Sequence, residues 1–213
     1  MAALPPAAAA AFLTDGGQSA ESVAERLAAF LGAARLSLDI AIYDLALREG
    51  PARVLETAIR AVLARGVEVR LLFNVDHALT PAVPPPPAVD EDLVRRLGIP
   101  FRPVSGVPDL MHHKYVVRDA GTPGAAVLTG STNWTDDSWT REENVIVTIE
   151  SDAVAAAYRF DFEELWTTGE VAASGHQATG WSPLPGGAEG ERLRPHFTPG
   201  HAHRLVHAIA RRI

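Results

Sequence analysis

The sequence predicts an α/β fold, with a mixed, largely parallel β-sheet flanked by helices. Three observations predict it. Leu36, Leu38, Ile40 and Ile42 alternate within Leu36 to Tyr43, which is the period of a strand. The stretches on either side repeat their apolar residues at helical spacing. A second apolar run, Val67 to Phe73, follows the next helix directly. Strand, helix, strand in this order implies a right-handed crossover and a parallel pair.

The elements follow in chain order. Met1 to Ala11 is rich in Ala and Pro and is expected to be a disordered arm over residues 1–11. It lacks Lys and Arg, and Pro5-Pro6 interrupts it, so it does not read as a secretory signal. Ser19 to Ala34 carries Val23, Leu27, Phe30, Leu31 and Ala34 on one helical face. Gly50-Pro51 opens the next helix, whose stripe is Val54, Leu55, Ala58, Ile59, Val62 and Leu63. Gly66 is a left-handed stop. Pro81 to Pro87 reads as an extended surface loop. Asp90 to Leu97 is a short helix ended by Gly98, and Ile99 to Val104 a brief strand. Lys114 to Val117, Ala126 to Leu128 and Asn144 to Ile149 are further strands. Ser151 or Asp152 caps a helix that runs through Trp166.

This reading puts one domain at 12–169 and a Gly/Ser/Pro-rich linker at 170–195. A C-terminal helical segment follows at 196–213, with Leu205, Val206 and Ile209 as its apolar positions. The tail echoes the start of the domain: Phe197-Thr198-Pro199-Gly200 can be set against Phe12-Leu13-Thr14-Asp15-Gly16. That echo is compatible with the start of a second repeat.

Composition narrows the function classes. The chain has 213 residues, a formal net charge of −7 and a pI near 5.6. A basic footprint for nucleic acid is absent at the level of the whole chain. No cysteine is present, so thiolate chemistry and disulfides are excluded. No apolar run is long enough to span a membrane, and with no recognisable signal the default compartment is cytoplasmic.

The chemistry concentrates in Met111-His112-His113-Lys114-Tyr115, with Asp119 four residues on, and in Gly130-Ser131-Thr132-Asn133. Residues i and i+2 of a strand share a face, so His112 and Lys114 point the same way, about 7 Å apart along the chain. An imidazole beside an ammonium suits a phosphate: a nucleophile and a charge clamp. Asn133 can offer an amide donor, and the Gly130-Ser131 turn can cradle an anion through backbone N–H groups. Glu143 could accept an imidazole N–H and fix its tautomer. His113 and Tyr115 point to the other face. His113 reads as a bystander rather than a metal ligand. Asp136, Asp137, Glu142 and Glu163 read as solvated. Tyr43 and Asp44 sit at a strand's C-terminal end, where open α/β sheets place ligands. Trp134 and Trp139 could line a substrate mouth or pack, with packing favoured for one of them. The tail histidines His176, His196, His201, His203 and His207 read as solvated; no carboxylate accompanies His203 and His207 at their i, i+4 spacing.

These residues carry a resemblance. His112-x-Lys114, Asp119, then Gly130-Ser131-x-Asn133, resembles the HKD motif of the phospholipase D superfamily, over about Phe12 to Trp166. The resemblance implies a phosphodiesterase that hydrolyses or transfers phosphodiester bonds. His112 attacks phosphorus and becomes a phosphohistidine. Lys114 and Asn133 hold non-bridging oxygens, Glu143 orients His112, and Ser131 and Gly130 lie at the phosphate. Asp119 counts with the catalytic set as a motif member, yet its offset from Lys114 puts it on the opposite strand face, where a structural role fits. No metal and no cofactor is expected.

The chemistry needs two histidines, one to attack and one to protonate the leaving oxygen. The chain holds one motif. It is therefore expected to pair as a homodimer, or to be the first half of a two-motif protein. Phospholipid is the favoured substrate, because Lys114 is the sole lysine and the arginines are scattered, whereas a nuclease groove tracks its backbone with many cations. The proline loop is the candidate apolar rim. A metal-independent nuclease acting on DNA or RNA and a non-catalytic half remain the alternatives, and so does the choice of water or an alcohol as acceptor.

Overall fold

The computed structural model describes residues 8–75, 89–107, 109–184 and 188–211. The proline-rich stretch 81–87 lies outside the described residues, and with it the expected apolar rim.

The elements are β1 (Ala8–Leu13), α1 (Ala20–Gly32), β2 (Ser37–Ile42), β3 (Leu45–Ala46), α2 (Glu49–Leu63), β4 (Glu68–Val75), α3 (Glu91–Leu97) and β5 (Phe101–Ser105). There follow β6 (Lys114–Arg118), β7 (Ala126–Gly130), β8 (Trp134–Thr135), α4 (Asp136–Thr140), β9 (Asn144–Ile149) and α5 (Asp152–Thr168). A 3-10 turn (Val171–Ala173), a small hairpin of β10 (Ser182–Pro183) and β11 (Arg192–Leu193), and α6 (Ala202–Ala210) complete the described chain.

Seven strands form one sheet in the order β1-β9-β7-β6-β2-β4-β5. The β2–β4 pair is parallel, as the strand-helix-strand pattern requires, and β4–β5 is parallel too. The four remaining pairings are antiparallel. The sheet is thus mixed but mostly antiparallel, which corrects the expectation of a largely parallel one. The physical reason is visible between β6 and β7, where only residues 119–125 intervene. A parallel return needs a crossover of a dozen residues or more.

Helices cover both faces of the sheet centre. Leu38, Ile40 and Ile42 of β2 join Leu71, Phe73 and Val116 under α1 and α2. Ala41, Leu72, Tyr115 and Val117 point the other way, to Phe162 and Leu165 of α5. Strands covered on both faces read as nearly continuous apolar runs, and β2 does. Its one carboxylate, Asp39, is buried and paired with Arg70 at 2.7 Å. Arg70 also binds Glu163 at 2.6 Å and lies over the Phe162 ring, so Glu163 is engaged rather than simply solvated.

Local signals explain the ends of the elements. Ser19 accepts from the Ser22 N–H at the start of α1, Asp90 from Leu93 N–H at α3, and Ser151 from Val154 N–H at α5. Gly98 closes α3 in the left-handed conformation.

Two boundaries differ from expectation. Ala8 to Ala11 belong to β1, paired with Ile146 to Ile149 of β9, rather than to a disordered arm. The segment expected as a linker, 170–195, is partly built into the domain: Val171 is buried, and β10 pairs with β11. Trp134 and Trp139 are both core residues, so neither lines a mouth.

Candidate active site

The site forms where the C-terminal ends of β2 and β7 meet the start of β6. Ile42, the last residue of β2, pairs with Lys114, the first of β6. The residues after β2, Tyr43 and Asp44, therefore lie beside the residues before β6, His112 and His113. Met111 fixes the approach: its backbone N–H donates to Oδ1 of the buried Asn74 at 3.1 Å.

His112 is exposed, and its ring stands edge-on to the Tyr43 ring, with centroids 4.8 Å apart. Lys114 Nζ lies 5.0 Å from the same ring centroid and donates to the His112 carbonyl at 3.0 Å. Tyr43 is the shared platform on which imidazole and ammonium sit together. Partial burial lowers the His112 pKa, and the charge of Lys114, then that of His113, add to the effect. The shift favours the neutral ring, the form a nucleophile needs. Burial lowers the Lys114 pKa to about 8, against the opposing pull of Asp44 and Glu142. A bound phosphodiester would raise it again by supplying a partner charge.

Gly130 ends β7 with φ +149°, and a Cβ there would stand 2.0 Å from the Val145 carbonyl oxygen. Glycine is required because the backbone of β9 passes directly against it. Ser131 then donates from its hydroxyl to Asn144 Oδ1 at 2.7 Å and accepts from the Val145 N–H at 3.1 Å. The hydroxyl expected near a phosphate is engaged in fastening β7 to β9. Asn133 Nδ2 lies 3.4 Å from Asp44 Oδ2, and its Oδ1 is buried without a hydrogen-bond partner among the described residues.

Of the expected carboxylates, Glu143 is exposed, and its Oε1 sits 3.5 Å from the Asp15 N–H. That geometry ties it to the turn after β1. The neighbouring Glu142 accepts from Ser138 Oγ at 2.6 Å and Asn144 Nδ2 at 2.9 Å, and its charge acts on Lys114. Glu142 is exposed, as expected, and also braces the turn beside the site. Asp136 likewise accepts from the Arg48 N–H at 2.7 Å, at the start of α2, while Asp137 stands 3.7 Å from Arg141 at the surface.

Asp119 lies at the far end of β6. Its carboxylate accepts from the N–H groups of Arg35, Leu36 and Ser37 at 2.7 to 2.9 Å, and its φ is +52°. It clamps the loop before β2, a structural part that the strand-face argument anticipates and that its place in the catalytic set does not. The structure therefore brings together His112, Lys114, Asn133 and the Gly130–Ser131 turn, and leaves Asp119 outside.

Sequence reading undervalued three residues. Tyr43 carried only a weak pointer. Asn74 gave no signal. His113 stands apart from the chemistry but is tied to the scaffold: Nε2 lies 3.3 Å from Oδ2 of Asp161, which is buried on α5 and also accepts from Tyr115 Oη at 2.8 Å. This cluster pins the back of β6 to α5.

With this geometry in view, comparison with known proteins is informative. A family model described as cardiolipin synthase, PLD-like domain matches residues 27–166. The mitochondrial cardiolipin hydrolase of Homo sapiens is 32% identical over 148 residues, covering 68% of this chain and 52% of that protein. That of Xenopus tropicalis is 30% identical over 147 residues, covering 68% and 62%. The chain thus spans between half and two thirds of the length of these relatives. Among solved structures, Nuc from Salmonella typhimurium, a phospholipase D family member, aligns with a TM-score of 0.54 at 20% identity, over 76% of this chain and 95% of that one. NucT from Helicobacter pylori aligns with a TM-score of 0.51 at 16% identity, over 76% and 97%. At such identities the structural likeness concerns the fold. The family match spans the site and the sheet that builds it, so the chain belongs to the phospholipase D superfamily and is built on its PLD-like domain.

Proposed function

We propose that this chain is a phospholipase D-type phosphodiesterase that works through a covalent phosphohistidine at His112 and acts on phospholipid. The observation that carries the reading is an exposed imidazole of lowered pKa and an ammonium sharing the Tyr43 ring at the mouth of the sheet. The relatives whose names specify cardiolipin as substrate favour a phospholipid over a nucleic acid. The scarcity of lysine points the same way.

In the first step a neutral His112 nitrogen donates its lone pair to phosphorus, and the bond from phosphorus to the leaving oxygen breaks. Lys114 stabilises the charge on the non-bridging oxygens, with the Asn133 amide as a second donor after it leaves Asp44. The leaving oxygen takes a proton from a second imidazolium. In the second step that imidazole removes a proton from water, the hydroxide attacks phosphorus, and the bond to His112 breaks. The free phosphomonoester leaves and the enzyme is restored. An alcohol in place of water gives transfer instead of hydrolysis.

The second imidazole comes from pairing, for which we propose a symmetric dimer that sets His112 beside its symmetry mate. Glu143 is retained as the carboxylate that orients His112 in the paired enzyme, a role that requires it to leave Asp15. The test is turnover of a phosphatidyl lipid, a soluble phosphodiester and single-stranded DNA by the purified protein in EDTA. Turnover of the lipid in excess over DNA, lost in His112→Ala, is expected. A strict metal requirement, or DNA cleaved faster than lipid, would overturn the reading.

A further inference from the structure

Outside the site, the C-terminal tail differs in charge from the rest of the chain. From Arg192 to Ile213 the sequence holds five arginines, four histidines and no carboxylate, in a chain whose net charge is −7. Charge of one sign is thus gathered in one segment. The apolar residues of α6 add a second, independent observation: Val206 is 65% exposed and Ile209 51% exposed, and no residue of α6 is buried.

The two features are arranged by the helical period. At 3.6 residues per turn, His203, His207 and Arg211 fall in one row, with Arg204 beside them. Leu205 and Ile209 form a second row, with Ala202, Val206 and Ala210 next to it, on the opposite side. The basic residues and the apolar residues occupy separate faces, and Leu205 alone of the large apolar residues is half-buried. The helix is also held to the body at its base. Phe197 is buried with its ring 5.0 Å from that of Tyr158 on α5, and the His201 ring nitrogen Nε2 lies 3.0 Å from the His176 carbonyl.

We propose that α6 is a membrane-surface helix that lies on anionic phospholipid, with Val206 and Ile209 dipping among the acyl chains and Arg204 and Arg211 meeting the headgroup phosphates. Charge complementarity selects the occupant. A protein groove would cover the apolar row without needing a basic face free of carboxylates. A nucleic acid would match the arginines but leave Val206 and Ile209 in water. An anionic lipid surface satisfies both rows at once. The inference goes beyond the phosphodiesterase reading and stands without it, since no residue of α6 belongs to the site.

The test is co-sedimentation of the full chain with two kinds of vesicle: phosphatidylcholine alone, and phosphatidylcholine with roughly a third phosphatidylglycerol. Two paired variants accompany the wild type, Val206→Asp with Ile209→Asp and Arg204→Glu with Arg211→Glu. Their circular dichroism spectra and melting temperatures are expected to match the wild type, which shows that they are folded. The wild type is expected to bind the anionic vesicles and not the neutral ones, and each variant pair to bind them at least about tenfold more weakly. Binding of both pairs equal to wild type would overturn the proposal. So would absence of binding by the wild type. Two other results also count against it. One is arginine-dependent binding of single-stranded DNA in place of vesicles. The other is loss of a dimer in the aspartate pair with no vesicle binding.

Discussion

His112 and His113 are joined by one peptide bond and live on opposite sides of the sheet. His112 stands in solvent on the face of Tyr43, with Lys114 beside it. His113 turns back to a buried carboxylate shared with Tyr115. The pleat separates them, as it separates any adjacent pair in extended chain. The difference teaches how the domain divides its work around β6. The outer side keeps a neutral imidazole and a partly desolvated ammonium accessible. The inner side uses an imidazole, a phenol and a carboxylate to lock the strand to α5, so that the outer groups keep their positions.

The sharpest contrast is in activity. Replacing His112 with Ala is expected to cut turnover by about 10⁴-fold or more, because a covalent nucleophile has no substitute, while the melting temperature stays close to wild type. Single-turnover kinetics with thermal denaturation checks both halves. Turnover within a few-fold of wild type would break the comparison. Lys114→Met should lose about 10² to 10³-fold in kcat, the scale of removing one charge-stabilising donor.

The inner side should answer in stability instead. Asp161→Ala leaves the Tyr115 hydroxyl without its acceptor, removes the carboxylate beside His113, and should cost about 2 to 4 kcal/mol in denaturant unfolding. Activity per folded molecule should fall far less than in His112→Ala. Asp119→Ala frees three backbone N–H groups and should cost a similar amount, about 2 to 4 kcal/mol, with kcat per folded molecule within a few-fold of wild type. A large loss of kcat at unchanged stability would return Asp119 to the catalytic set.

The smallest expected effect is a pH shift. With Lys114 lowered to about 8, the clamp loses its charge as pH rises through about 8, and kcat/KM should fall there, beyond the earlier fall caused by loss of the second imidazolium that protonates the leaving oxygen. It should fall again on the acid side as His112 takes a proton. His112 is lowered from 6.5, so its limb lies below that value. Lys114→Arg, which stays charged, should move the step at about 8 upward and leave the imidazolium step in place. An alkaline limb unmoved by that change would assign it to another group.

Much of this was legible. The alternation of β2, the stripe of α2 and the run of β4 specified a parallel unit through local periods alone. The motif residues announced their juxtaposition through i, i+2 spacing. What escaped depended on contacts far apart in sequence. Ala8 to Ala11 carry no alternation of polarity, and only pairing with β9 makes them a strand. His113 and Tyr115 meet an aspartate more than forty residues away. Glu142 and Glu143 are chemically identical neighbours, and the turn at Ser138 to Asn144 decides which one accepts from Ser138 and Asn144. The largely parallel sheet was an extrapolation from β2 and β4 to strands whose short connections forbid it.

The central claim is the bond between His112 and phosphorus, and rapid acid-free quenching during turnover, followed by peptide mass spectrometry, tests it most directly. The account predicts a phosphoryl-linked adduct on the peptide carrying His112, located on that residue and absent from His112→Ala, with His113 unmodified. Full turnover with no adduct on His112, or with the adduct on His113, would contradict it.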